Sequence, residues 1–226
     1  MTEDLLTDDE QLQEVKRLSA EYGPWIAGAV LTATVGVFGY RYYQGHMDAS
    51  ALDAAQQFVR MTDAYGSNDN AKARQIADGL IDKYSGSPYA DQAKLMLARL
   101  DLGEDKTALA EAALRDVMEH SKDTELRHVA RLRVARLQID EGKADDALTT
   151  LSDEPGAFAA RYHEVRGDAL YAKKDYPKAL SEYQAALAAG TGSSADPDSA
   201  LLTLKIADLG ATPALPPAAA PNKAKP

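Results

Sequence analysis

Apolar residues between Asp48 and Gly210 recur every three or four positions, and no stretch shows the period of two that a strand requires. Polar and turn-forming clusters interrupt this pattern at Gly66-Ser-Asn-Asp-Asn70, Ser85-Gly-Ser-Pro88, Gly103-Glu-Asp105, Ser121-Lys-Asp123, Glu141-Gly-Lys143, Asp153-Glu-Pro-Gly156 and Lys174-Asp-Tyr-Pro177. The intervening stretches predict helices of about 12–17 residues, taken in pairs. Four alanines, Ala73, Ala110, Ala147 and Ala179, mark equivalent places in the second helix of each pair, at spacings of 37, 37 and 32 residues. Four positions beyond each stand Ala77, Leu114, Leu151 and Tyr183. A period of roughly 34–35 residues with two helices per unit is the mark of a helical-hairpin solenoid. The spacing of 32 predicts a shortened loop in one unit. Ser199–Gly210, with Leu201, Leu202, Leu204, Ile206 and Leu209, reads as the terminal helix that covers the last repeat's apolar face.

A different pattern precedes the array. From Tyr22 to Tyr40 there is no Asp, Glu, Lys, Arg or His, and 19 residues of helix extend roughly 28 Å, close to the thickness of a hydrocarbon core. Tyr22 and Trp25 at one end, and Phe38, Tyr40, Tyr42 and Tyr43 at the other, stand where a membrane interface favours aromatic rings. No small-residue cleavage site follows, so the block reads as an uncleaved anchor. Gly28, Thr32 and Gly36 form a small-xxx-small ridge suited to contact with another transmembrane helix. Lys16 and Arg17 before the span outnumber Arg41 after it, which favours a cytoplasmic N-terminus. The head, residues 1–21, carries seven acids and two bases, and Thr7-Asp-Asp-Glu10 is a capping-box pattern opening a short helix. The domains expected are therefore an acidic cytoplasmic head at 1–21, a transmembrane helix at 22–43, repeats at 48–210, and a disordered Pro/Ala-rich tail at 211–226.

Composition narrows the function. With 226 residues and a net charge of −10, the chain lacks the clustered basic surface that nucleic acid requires. The absence of cysteine removes disulfides, thiolate nucleophiles and cysteine metal sites. His46, His120, His128 and His163 are scattered and have no partners at catalytic or metal-ligand spacing. Gly190-Thr-Gly192-Ser-Ser-Ala195 fits a dinucleotide fingerprint formally, but it follows a helix instead of a strand and reads as a linker. Neither a catalytic centre nor a metal or cofactor is expected.

The unit His163–Leu187 resembles the tetratricopeptide repeat: Gly167 and Leu170 take the small and large places of its first helix, and Ala179, Tyr183 and Ala186 those of its second. Ala135, Ala147 and Leu151 match in the preceding unit, and Ala98, Ala110 and Leu114 in the one before. The aromatic usual early in the first helix is absent from all units. The fold this implies is all-α: a single transmembrane helix followed by an α-solenoid of tetratricopeptide-like helical hairpins with a C-terminal capping helix. The resemblance also implies a partner-binding groove lined by first-helix residues Leu95, Arg99, Leu132, Arg136, Ile139, Asp168 and Tyr171.

The order of an acidic head containing D-D-E-Q-L-Q-E-V-K-R, one span ending G-Y-R-Y-Y, and a compact repeat array resembles the YfgM family of ancillary SecYEG translocon subunits. That resemblance implies a single-pass bacterial inner-membrane protein with its repeats in the periplasm. The implied partners are SecYEG, a membrane-anchored chaperone of the PpiD type, and unfolded secretory polypeptides. An envelope scaffold coordinating cell-wall synthesis or division through the same repeats is the alternative.

Overall fold

The computed structural model describes residues 8–190 and 196–211. Among the described residues the secondary structure is helical: α1 (Asp8–Gly66), α2 (Asn70–Lys83), α3 (Pro88–Gly103), α4 (Thr107–His120), α5 (Thr124–Asp140), α6 (Ala144–Thr150), a 3-10 turn at Gly156–Phe158, α7 (Ala159–Ala172), α8 (Tyr176–Ala189) and α9 (Ser199–Asp208). Two compact units divide the chain, Met1–Asp53 and Ala54–Pro226. Thr7 of the expected capping box, residues 191–195 of the linker and residues 212–226 of the expected tail lie outside the described residues.

In the second unit one local device is repeated four times. The last residue of each intra-hairpin turn adopts left-handed backbone: Asn68 (φ 64°), Asp105 (59°), Gly142 (78°) and Lys174 (61°). The next N–H then donates to the carbonyl five residues back: Asp69 to Ala64 at 2.9 Å, Lys106 to Asp101 at 2.8 Å, Lys143 to Gln138 at 2.7 Å and Asp175 to Leu170 at 2.9 Å. This is a Schellman-type ending, which satisfies carbonyls left open at the helix terminus and reverses the chain. Five residues after each left-handed position comes one of the four anchor alanines, all with no exposed surface.

Helix crossings are set by complementary sizes. The clusters between the helices combine Met61 and Ala77, Ala98 and Leu114, and Ala135 and Leu151, and in the last hairpin Gly167 lies against the Tyr183 ring. Where one partner is large the other is small, so each crossing is filled without overpacking. The last pair is the extreme: a Cβ added to Gly167 would stand 2.5 Å from the Tyr183 ring. Four clusters run through the unit, and the last is completed by Leu202 and Ile206 of α9.

Two expectations are corrected. The 32-residue spacing does not come from a shortened loop: the connection after α6 is longer than the one after α4, and the residues are lost from the helices, α6 having seven where α4 has fourteen and α7 fourteen where α5 has seventeen. Pro155 lacks the N–H that would continue the helix and disfavours helical backbone before it, and Asp153 is drawn to Arg131 of α5 at 2.6 Å. The head helix is also not a separate short element, because α1 has no break between Asp8 and Gly66.

In the first unit Tyr22, Trp25, Leu31, Val35, Val37, Phe38 and Tyr40 are exposed. The Thr32 hydroxyl donates to the Gly28 carbonyl at 2.9 Å, which keeps its polarity within the helix. An added Cβ at Gly28 or Gly36 would meet nothing within 4 Å. Among the described residues no helix is long and apolar enough to cross a membrane.

Candidate functional site: an arginine-lined groove

The first helices α3 and α5 leave between them an open cavity of about 490 Å³, lined by Leu95, Ala98, Arg99, Leu102, Leu114, Arg133, Arg136, Leu137 and Asp140. Helical spacing explains the lining. Leu95, Arg99 and Leu102 recur at four and three residues along α3, and Arg133, Arg136 and Asp140 at three and four along α5, so each set shares one face. A second cavity of about 380 Å³ shares Arg133 and Arg136 with the first and adds Leu132, Phe158 and Arg161.

The expected groove residues divide into four groups. Leu95, Arg99 and Arg136 meet in the larger cavity, with Leu95 nearly buried in its floor, and Leu132 floors the smaller one. Ile139 instead packs against the core cluster of Ala135, Ala147 and Leu151. Asp168 is occupied internally, accepting from the Tyr183 hydroxyl at 2.8 Å and from Lys205 at 2.6 Å. Tyr171 is exposed, donates to Asp208 Oδ2 at 3.0 Å and meets Tyr176 edge to face.

Arg133 is the residue that sequence reading missed. Its guanidinium donates to the Leu95 carbonyl at 3.4 Å. Crowding by surrounding protein, then the charges of Arg99 and Arg136, lower its pKa from the usual guanidinium value. The spacing held a signal, because Arg99 and Arg136 stand 37 residues apart, one repeat, and Arg133 lies one helical turn before Arg136. Arg99 stacks over the Tyr65 ring, 5.0 Å from its centroid. Arg136 is partly neutralised by Glu164 at 3.4 Å, a buried carboxylate that also faces Arg161 and Lys205, each at 3.4 Å. Burial, then the neighbouring Asp168 carboxylate, pushes the Tyr183 phenol up, so it stays a protonated donor to Asp168.

Two of the histidines pack against neighbouring helices. His128 Nδ1 lies 2.7 Å from the Tyr162 hydroxyl and its ring stacks on Phe158, while His163 pairs with Glu182 at 2.7 Å. Tyr162, early in α7 and almost fully buried, also supplies an aromatic near the place where the sequence reading expected none. Among the described residues no group of three His, Cys, Asp or Glu side chains is placed to hold a metal ion.

Paired helices, a repeated turn and a side-chain-lined groove define a tetratricopeptide-like repeat protein. A family model described as a tetratricopeptide repeat-like domain matches residues 16–211. Among known proteins, the ancillary SecYEG translocon subunit of Escherichia coli (strain K12) is 30% identical over 79% of this chain and 86% of its own length. The protein of the same name from Haemophilus influenzae is 27% identical over 82% and 91%, respectively, and that from Neisseria gonorrhoeae is 26% identical over 80% and 88%. The chain belongs to this family of ancillary translocon subunits. No solved structure is significantly similar to it.

Proposed function

We propose that this protein is a non-enzymatic, membrane-anchored adaptor of the protein-export channel. Residues 22–40 hold it in the bacterial inner membrane in a single pass, the N-terminus is cytoplasmic, and the periplasmic repeats bind a PpiD-type chaperone, emerging secretory polypeptides, or both. The groove between α3 and α5 carries this reading, because its leucine floor and arginine walls suit an extended peptide. The similar proteins named as ancillary SecYEG subunits supply the setting. Support for the anchor comes from 19 residues free of Asp, Glu, Lys, Arg and His, whose Gly, Thr, Trp and Tyr content is tolerated in spanning helices. The open Gly28/Thr32/Gly36 ridge then faces a partner helix.

Tethering explains how a weak groove is effective: held beside the exit site, it meets each emerging chain at high effective concentration. Extraction in mild detergent followed by co-purification tests the assignment. Recovery of SecYEG with the chaperone is expected, whereas recovery of cell-wall synthases without SecYEG supports the envelope scaffold instead. Protease added to intact and to opened cells tests the topology, and cleavage of the repeats from the cytoplasmic side alone contradicts it.

A further inference from the structure

We propose that the groove selects extended segments in which acidic side chains alternate with apolar ones. This inference rests on the peptide-groove reading above and adds the chemistry of the occupant. Arg99, Arg133 and Arg136 line one cavity, and the first two have no carboxylate partner among the described residues. This cluster stands out in a chain whose net charge is −10. Most other basic side chains of the repeats are paired: Arg74 with Asp101 at 2.8 Å, Lys94 with Asp116 at 2.7 Å, Arg115 with Glu111 at 2.7 Å and Arg131 with Asp153 at 2.6 Å. Guanidiniums crowded together without an anion repel one another, and a carboxylate placed among them relieves that repulsion through short, charge-assisted bonds.

The extent of the site argues for a run of side chains over a single terminal carboxylate. The two cavities share Arg133 and Arg136 and together measure about 490 and 380 Å³. Leu95 and Leu102 in one, and Leu132 and Phe158 in the other, provide apolar floor between the charged walls. Asp140 at the rim repels a second acid there and so limits where along the groove the acidic positions fall.

The test uses the full chain in lipid nanodiscs and three fluorescent peptides of a repeating Gly-Leu-Glu-Ser sequence, N-acetylated and C-amidated, with Glu kept, changed to Gln, or changed to Lys. The Glu peptide is expected to bind roughly tenfold or more tighter than the Gln peptide, with the Lys peptide weakest and the preference shrinking as salt is raised. Arg133→Gln and Arg99→Gln are each expected to remove most of that preference. Arg99 lies exposed on Tyr65, so its variant keeps the test valid if loss of the Arg133 bond to Leu95 disturbs folding, and a thermal unfolding midpoint checks both. Equal binding of all three peptides, displaced by blocking Leu102, overturns the acidic preference and leaves the groove reading standing. A fourth peptide, the Gln sequence with a free C-terminal carboxylate, binding as tightly as the amidated Glu peptide overturns it in favour of terminal recognition. Binding of none of the peptides overturns both readings.

Discussion

Met61 and Phe38 lie on the same helix, α1, yet Met61 is completely buried and Phe38 is 70% exposed. The contrast holds for their surroundings. In the repeats, large and small apolar side chains are buried together in clusters between the helices, and most charged residues lie towards the surface. In residues 22–40, every described large apolar side chain is exposed, and the charged residues that would normally separate such side chains from one another in water are missing. Helical backbone alone does not tell these regions apart; what covers the side chains does. One set is covered by the chain itself, and the other is not; the anchor proposed above supplies the missing cover from lipid.

The largest expected effect breaks the contrast at the proposed anchor. The double substitution Leu31→Arg, Val35→Arg places two guanidiniums at mid-span, each costing about 2.5–3.5 kcal/mol of insertion. Carbonate-washed membranes are then expected to lose most of the protein to the soluble fraction, while the far-ultraviolet helical signal of the repeats persists. Retention in the washed membrane means that residues 22–40 are not the anchor.

The next effect separates a packed glycine from an open one. Gly167→Ala drives a methyl into the Tyr183 ring and is expected to cost about 1–3 kcal/mol, read from urea unfolding of the detergent-solubilised protein. Combining it with Tyr183→Leu rebuilds the Ala98/Leu114 arrangement of an earlier repeat. That pair is expected to recover part of the loss despite the missing hydroxyl bond to Asp168, giving a coupling of about 1 kcal/mol. Gly28→Ala and Gly36→Ala, which add a methyl to open space, leave the same unfolding curve unchanged.

The smallest effect concerns the repeated turn. Lys174 holds the left-handed position that Gly142 fills in the preceding hairpin. Lys174→Gly is expected to stabilise by about 0.5–1 kcal/mol and Gly142→Ala to destabilise by about 1 kcal/mol, both read as shifts in urea midpoint.

The sequence made the repeat register legible because Ala73, Ala110, Ala147 and Ala179 put a small residue at the same completely buried place in each hairpin. The truncation of α6 was harder to read. Its helix-stopping residues, Asp153-Glu-Pro-Gly156, are visible, but which helix they shorten depends on the Arg131–Asp153 pairing across the hairpin. At the candidate site, Leu95, Arg99 and Arg136 followed from the resemblance to tetratricopeptide repeats, and the cavity brings them together. The partners of Asp168, Tyr183 and Lys205, come from α8 and α9, a tertiary arrangement that no local spacing announces. Arg133 was overlooked for a related reason: its importance lies in guanidiniums contributed by two different repeats.

The structure also identifies the better probe for the central claim. Leu95 and Leu132 are buried, whereas Leu102 is 41% exposed at the groove and Leu109 is exposed on the second helix of the same hairpin. A photocrosslinking amino acid placed at Leu102 or at Leu109, in intact cells with a secretory precursor stalled in the channel, tests the adaptor account directly. The account predicts adducts with the precursor, the chaperone or a translocon subunit from Leu102 and not from Leu109. An absence of adducts from Leu102, or equal yields from both positions, contradicts it.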